Sequence, residues 1–450
     1  MLSASRSLLS SLRGSYRQLE VRMASLASGQ RYDLVVFGAT GFTGQYVVEE
    51  VSRVAQQEGT ESKTPLSWAV AGRSKDKLMK TLAAATKETG LNLEEVGVIL
   101  ADTSDQESLN KMASQSNIVI NCVGPYQLYG EPVVQACVEA GANHVDISGE
   151  PQFLERMQLK YNKAAEEAGV YIVGACGYDS IPAEMGLVHM AKNFKGELNS
   201  AEMFVTVKGK GAVHTGTLES AALAVANQNE MARIRKELFS ESLPKPKHKI
   251  TKKGALHKND KLGLWGVPLP TDEPVVYRTQ RYWYDVLKKR PIQFQQFIGI
   301  RSFSQGVGTL LGLAYFALLC YFSWTRHLLL KYPEVLTAGM FRRAGADREE
   351  LRRMKFTATL IGHGWSQPLA EGCDQHVEAP DSSIVVKVTG PDPGYEATSL
   401  MLVSSAMSIL REKNLCTGKG GVMTPGAAFA NTKLIERMVD RGMTFTALPE

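Results

Sequence analysis

A short β-prone run, Asp33–Phe37, passes directly into Gly38-Ala39-Thr40-Gly41-Phe42-Thr43-Gly44, and a helical pattern follows from about Phe42 to Gln57. Strand, glycine turn and helix in that order bring backbone N–H groups and the positive end of a helix to one spot. Gly38 permits the tight turn, Gly41 lets the backbone approach a pyrophosphate, and Gly44 lets the helix close on the strand. The spacing is GxxGxxG, a variant of GxGxxG, and three glycines alone are weak evidence. Here a strand precedes them and a helix follows, so Gly38, Thr40, Gly41, Phe42, Thr43 and Gly44 are expected to hold a dinucleotide.

The segment after the loop keeps the same rhythm. Ser67–Ala71, Val96–Ala101, Ile118–Cys122 and the runs around His144–Ile147 and Val170–Val173 are short, continuous and aliphatic, as strands buried on both faces are. Helical patterns such as Lys75–Glu88 lie between them. Such alternation predicts an α/β doubly wound parallel sheet of the Rossmann type. After Gly177 the pattern changes. Met203–Lys208, Val275–Tyr284, Lys355–Ile361 and Ile384–Thr389 alternate apolar and polar residues, which predicts an α+β domain with an antiparallel sheet. Glu396–Arg411 and Lys433–Asp440 read as helices, and the lysine-rich stretch Glu237–Lys261 as a loop.

The second strand of the series runs into Ala71-Gly72-Arg73-Ser74. An NAD enzyme usually places a carboxylate there for the ribose 2′-hydroxyl. Arg73, with Ser74 and Lys77 close behind, suits a 2′-phosphate by charge and bidentate geometry, so NADP(H) is the expected cofactor. An arginine on an exposed loop is the plainer alternative. Asp102 follows the third strand and either reaches adenine or caps a helix. Asn121, Cys122 and Gly124 follow the fourth strand, at the carboxyl edge where nicotinamide-side contacts gather.

Composition excludes some classes. The 450 residues are 44% hydrophobic and 22% charged, as in a folded globular chain long enough for two domains. A net charge of +5 is too mild for a dedicated nucleic-acid binder. Cys122, Cys137, Cys176, Cys320, Cys373 and Cys416 show no CxxC pair, which argues against a disulfide framework and a zinc site. No metal-ligand cluster, Walker loop, HExxH or Ser-His-Asp signature is present. Residues 1–31 are arginine- and serine-rich with no acid before Glu20, which reads as a mitochondrial transit peptide or a flexible tail.

Taken together, VVFGATGFTG (Val35–Gly44), WAVAGRS (Trp68–Ser74), NCVGPYQLYGEPVV (Asn121–Val134), DISGEPQF (Asp146–Phe153), GYDSIPAEMG (Gly177–Gly186), RTQRYWY (Arg278–Tyr284) and GVMTPGAAF (Gly421–Phe429) resemble the saccharopine dehydrogenase-like oxidoreductases. The chain is also similar to bacterial trans-acting enoyl reductases, which act on lipids with NADPH. The resemblance implies an NADP-binding Rossmann domain over residues 32–177, a substrate domain over 178–417 and a final segment, about 418–450, that returns to the Rossmann half. No motif supplies the fixed cations that saccharopine itself would need, so true saccharopine chemistry is the weaker reading.

Reduction by hydride transfer needs a proton donor near the nicotinamide. Tyr126, Glu150, Tyr178, Asp179 and Ser180 follow the carboxyl ends of strands, with Tyr126, Tyr178 and Asp179 the foremost catalytic candidates. Each has a plain structural alternative. Asp179 or Ser180 before Pro182, and Glu150 before Pro151, fit helix N-caps. His214-Thr215-Gly216-Thr217 is a candidate pocket wall.

No charge occurs between Arg301 and Arg326, and Val307–Phe322 is nearly all apolar. That length is borderline for a crossing of roughly 30 Å of hydrocarbon. Aromatics at its ends and basic residues beyond it fit an interface-seeking segment over 303–325, with the basic loop 237–261 favouring anionic head groups. A full crossing would split one domain across the bilayer. The expected arrangement is therefore monotopic attachment to a membrane or lipid droplet, ahead of a buried core helix. The function so implied is an NADP(H)-dependent oxidoreductase acting on a lipid or other hydrophobic substrate, with a non-catalytic NADP(H)-binding scaffold or sensor as the alternative and a homodimer as a further expectation.

Overall fold

The computed structural model describes residues 31–61, 65–239, 241–369 and 375–449. The targeting segment expected over residues 1–31 lies outside them except for Arg31, as does Cys373.

The strands in chain order are β1 (Tyr32–Phe37), β2 (Trp68–Gly72), β3 (Gly97–Leu100), β4 (Ser116–Asn121), β5 (Asn143–Asp146), β6 (Tyr171–Val173), β7 (Glu197–Lys208), β8 (Val213–His214), β9 (His257–Asn259), β10 (Leu264–Pro268), β11 (Gln293–Ile300), β12 (Phe341–Arg342), β13 (Lys355–Trp365), β14 (Ser382–Gly390), β15 (Gly421–Met423) and β16 (Thr444–Pro449). The first sheet has the order β15-β6-β5-β4-β1-β2-β3 and every pairing in it is parallel. Strand order reverses at β1, between β2 and β4. That reversal opens a crevice at the carboxyl ends of β1 and β4, where doubly wound sheets bind ligands.

The second sheet has the order β16-β14-β13-β7-β11-β10-β9. Its pairings are antiparallel except β7 with β11, which is parallel, so the sheet is mixed. The expected strand Val275–Tyr284 is instead part of the helix Glu273–Leu287. Pro274 opens it, and the buried Val275, Val276, Thr279, Gln280 and Trp283 recur at intervals of three and four, not two.

Two boundaries differ from the expected domain limits. The helix Glu396–Glu412 packs on β4, β5 and the helix Phe42–Glu61, although it lies within the expected substrate domain. Its residues are buried almost all round, which requires cover on both sides. The returning tail divides: β15 extends the parallel sheet beside β6, and β16 pairs with β14 in the second sheet. The helix Ile181–Asn193 lies against β7, β13 and β14 and joins the two layers.

Between β11 and β13 the chain makes an excursion. It forms the helix Phe303–Tyr321, turns at Phe322, and continues as the helix Ser323–Lys331. Cys320 and Leu329 pack on Leu218 and Ala222 of the helix Thr215–Ala226. The opposite face is open: Leu311 is 66% and Tyr321 75% exposed.

Candidate dinucleotide cleft and active site

The glycine loop divides its labour by position. Gly38 adopts φ +81°, and a Cβ there would lie 2.7 Å from Val123 Cγ2. A Cβ on Gly44 would lie 2.2 Å from the Gly38 carbonyl oxygen, so the helix Phe42–Glu61 starts in contact with the turn. Gly41 faces solvent. No side chain among the described residues caps the N–H groups of Phe42, Thr43 or Gly44, which leaves them for an anion. Thr40 and Thr43 are half-buried beside them. The Phe42 ring points elsewhere. It stacks on His214 at 5.1 Å and meets Tyr395 edge-on at 4.6 Å, so any cofactor contact from Phe42 is made by its backbone.

Arg73 stands exposed after β2, with no hydrogen bond or salt bridge to the described residues. Ser74 accepts from the N–H of Lys77 and caps the helix Lys75–Thr89. Asp102 accepts from both the N–H and the hydroxyl of Ser104, which hold its carboxyl below the usual range. The helix after β3 is capped by Asp105 instead, so the capping alternative for Asp102 does not hold.

Asn121 is buried at the end of β4, in register with Phe37. Its Oδ1 accepts from Val123 N–H at 3.0 Å, while its Nδ2 has no partner. A buried unpaired donor beside the glycine turn needs an acceptor to offset its desolvation, and the dinucleotide expected in this cleft offers several. Cys122 is half-buried and its thiol is pushed up to about 12 by burial, so it stays protonated. Gly124 is exposed at the mouth. The unpaired amide, the uncapped helix start and the free Arg73 fit NADP(H).

The catalytic candidates are placed very differently. Tyr126 is buried; its hydroxyl donates to the Asn121 carbonyl at 2.9 Å and accepts from Ile147 N–H at 3.4 Å. That phenol is committed to backbone. Glu150 does not cap its own helix. It accepts from Tyr126 N–H, Gln127 N–H and Ser220 Oγ at 2.9, 2.8 and 2.7 Å, and so caps the helix Tyr126–Ala140. Tyr178 is half-buried and lies edge-on to Phe356 at 5.0 Å; its backbone N–H donates to Thr398, and its hydroxyl makes no hydrogen bond within the described residues. The Asp179 carboxylate packs against Gly149, and burial raises its carboxyl above the usual range. Ser180, between Asp179 and the helix it precedes, has φ +120° with a buried side chain. Such strain in a non-glycine residue is characteristic of sites where placement matters. His214 accepts from Gly216 N–H and caps its helix, so it bounds the glycine loop.

Sequence reasoning missed a buried polar network behind Tyr178 and Asp179. Glu184 Oε2 accepts from Thr279 Oγ1 and from Gly426 N–H; its Oε1 has no partner. Burial pushes its carboxyl up to about 7. Asp272 accepts a hydrogen bond from Gln296 Nε2 at 2.9 Å, and its Oδ1 has no partner among the described residues. Burial raises its carboxyl, with Asp179 and Glu184 adding to the effect. Arg278 donates to Gln158 Oε1 at 2.6 Å and lies near Glu155, Glu184 and Asp146. At the end of β5, Asp146 accepts from Ser148 and Ala175 N–H, yet burial still lifts it to about 7. Asp146, Glu184, Arg278 with Thr279, and Gly426 come from four of the motifs quoted above, while Asp272 lies in none of them. The available signal was Glu184, a lone acid in the apolar run Ile181–Met190. Among the described residues no three His, Cys, Asp or Glu side chains form a metal-holding group.

A nucleotide cradle at the carboxyl edge of the first sheet, with buried protonatable carboxyls and a phenol without a hydrogen bond among the described residues behind the following loops, is the equipment of a nicotinamide oxidoreductase. Residues 34–173 match the family model described as the saccharopine dehydrogenase NADP binding domain. The chain is 39% identical over 430 residues to the human protein named saccharopine dehydrogenase-like oxidoreductase, across 94% of this chain and 99% of that one. It is 39% identical over 425 residues to a Caenorhabditis elegans protein named lipid droplet localized protein, across 92% and 98%. It is 25% identical over 452 residues to a Mycobacterium tuberculosis protein provisionally named a trans-acting enoyl reductase, across 93% and 98%. Apo saccharopine dehydrogenase (L-Glu forming) from Saccharomyces cerevisiae superposes with a TM-score of 0.52 at 12% identity, across 93% of this chain and 100% of that one, a likeness of fold alone. By its match to the human relative and its NADP-binding segment, the chain belongs to the saccharopine dehydrogenase-like oxidoreductases.

Proposed function

We propose that the chain is an NADP(H)-dependent oxidoreductase acting on a lipid or other hydrophobic substrate while attached to a membrane or lipid-droplet surface. The observation that carries this reading is the exposure of an uncharged helix. Phe303–Tyr321 is long and apolar enough to cross a membrane, yet only 11% of its apolar window is buried in the protein. A core helix would be covered. Large apolar patches on a soluble surface mark interaction sites. A crossing would place β11 and β13 on opposite sides of a bilayer, although both pair with β7. A hairpin that dips into one leaflet keeps the sheet whole. The nematode relative's name agrees with such a surface.

In this reading NADP(H) supplies or accepts the hydride, Arg73 and the glycine loop hold it, and Tyr178 with Asp179 orients the substrate and moves the proton. The test is flotation with phosphatidylcholine vesicles. Wild-type protein is expected to float, and Leu311→Asp with Leu318→Asp to stay at the bottom with NADPH binding intact. Equal flotation of the two overturns attachment through this helix. The commitment of the Tyr126 phenol to backbone favours a second reading, a non-catalytic NADP(H)-binding scaffold. NADPH consumption driven by a lipid extract, lost in Tyr178→Phe, decides for the enzyme.

A further inference from the structure

Beneath the exposed helix lies a groove of about 1720 Å³. Its floor is the outer face of the second sheet, through Thr206, Thr357 and Thr359. Leu313, Phe316 and Leu319 of the helix Phe303–Tyr321 form its roof. Small-molecule pockets measure roughly 300–1,000 Å³, so the groove suits a long ligand better than a compact metabolite. Gly308 and Gly312 both line it, and a Cβ on either would meet nothing within 4 Å, so the roof carries an open trough.

The charged lining has a single sign. Lys208, Lys210, Arg301 and Lys387 border the groove and no Asp or Glu does. None of the four forms a salt bridge with the described residues. Unpaired cations around an apolar trough match a ligand with a long apolar tail and an anionic head.

The helix Thr215–Ala226 lies between the groove and Glu150. Ala221 lines the groove, and the preceding residue, Ser220, donates to Glu150 at 2.7 Å. Such a helix is about 10–12 Å across. From Lys210 the chain runs on to His214, whose ring stacks on Phe42 of the glycine loop.

We propose that this groove takes the acyl chain of an anionic amphiphile drawn from the membrane leaflet, with its head group held by Lys208, Lys210 and Arg301. The proposal rests on the membrane-attached reading and names the chemical class of its hydrophobic ligand. Measured from water each buried methylene is worth up to about fourfold in affinity, but a chain leaving a leaflet is already in hydrocarbon, so selectivity over other lipids must come from the cations around the head group.

The probe is oleoyl lysophosphatidate, transferred from phosphatidylcholine vesicles to the full-length protein. Monoolein carries the same chain without charge, and inorganic phosphate carries the charge without a chain. Saturable transfer is expected for the lysophosphatidate. Gly312→Trp, which fills the trough, should weaken it at least about tenfold, and so should the triple variant Lys208→Gln, Lys210→Gln, Arg301→Gln. Monoolein affinity should not respond to the triple variant. The charge variant keeps the test decisive if Gly312→Trp fails to fold. Equal binding of monoolein, displacement by phosphate alone, or unchanged transfer in both variants overturns the proposal. So does a dimer, seen by light scattering, that covers the groove and dissociates in Gly312→Trp. Flotation without transfer sinks the groove alone; transfer without flotation sinks the membrane reading alone.

Discussion

Ser220 hands its hydroxyl hydrogen to Glu150, and Glu150 in turn caps the helix Tyr126–Ala140. A helix of the later chain is thereby latched to the carboxyl edge of the nucleotide sheet. Ser220→Ala should cost about 1 kcal/mol of stability, and Glu150→Ala about 3 kcal/mol because buried donors lose their acceptor. In the Glu150→Ala background the Ser220 change should have almost no further effect. Denaturant unfolding of the four proteins measures this. Additive losses would separate the two residues.

Among the described residues Arg73 makes no hydrogen bond or salt bridge and lends only its charge to nearby Asp102, so its removal should affect ligand affinity far more than the fold. Arg73→Ala is expected to weaken NADPH binding by about 1.5–3 kcal/mol, roughly tenfold to a hundredfold, and to leave NADH binding unchanged. Fluorescence titration with both nucleotides reports the contrast. Equal loss for both would remove the 2′-phosphate from the explanation.

The three loop glycines should respond unequally. Gly44→Ala drives a Cβ into the Gly38 carbonyl, and Gly38→Ala must hold φ +81° against Val123. Each is expected to destabilise the protein by at least about 2 kcal/mol. A Cβ on Gly41 meets the Gly38 oxygen at 3.2 Å and otherwise faces solvent. Gly41→Ala should leave the melting temperature nearly unchanged and weaken NADPH binding. Thermal unfolding beside nucleotide titration separates the two roles.

Glu184 gives stability a pH dependence of known sign. Its carboxyl is raised by burial from 4.5 to about 7 in the folded protein. Between those values the native state holds a proton that the unfolded chain has released, so stability falls as pH rises from about 4.5 to 7 and levels off above. The loss is at most about 3 kcal/mol. Glu184→Gln keeps the shape without the titration and should flatten this part of the profile. An unchanged slope in the variant would assign the effect elsewhere, with Asp146 the next carboxyl to test.

The parallel sheet was legible because its strands are buried on both faces and read as unbroken aliphatic runs, as in Leu34–Phe37 and Ile118–Ile120. The glycine loop was legible because its backbone demands are local. Val275–Tyr284 misled because adjacent β-branched residues imitate a strand, and only the depth at which Thr279 and Trp283 sit shows the helical period. The parallel pairing of β7 with β11 joins strands far apart in sequence, which no local pattern encodes. Phe42 was read as a loop residue, but its ring packs on Tyr395, more than three hundred positions away. The network around Glu184 escaped for the same reason: Thr279 and Gly426 reach it only through the fold.

The excursion that carries the apolar helix leaves from β11 and comes back at β13, strands that flank β7 on either side. Neighbouring strands sit about 4.8 Å apart, so departure and return are separated by roughly 10 Å. A segment hung from two such closely spaced points can be lengthened, shortened or exchanged without changing the register of any strand beside it. On the membrane-attached reading proposed above, where this protein resides would be decided at one rim of the second sheet, and how it handles a nucleotide in the first.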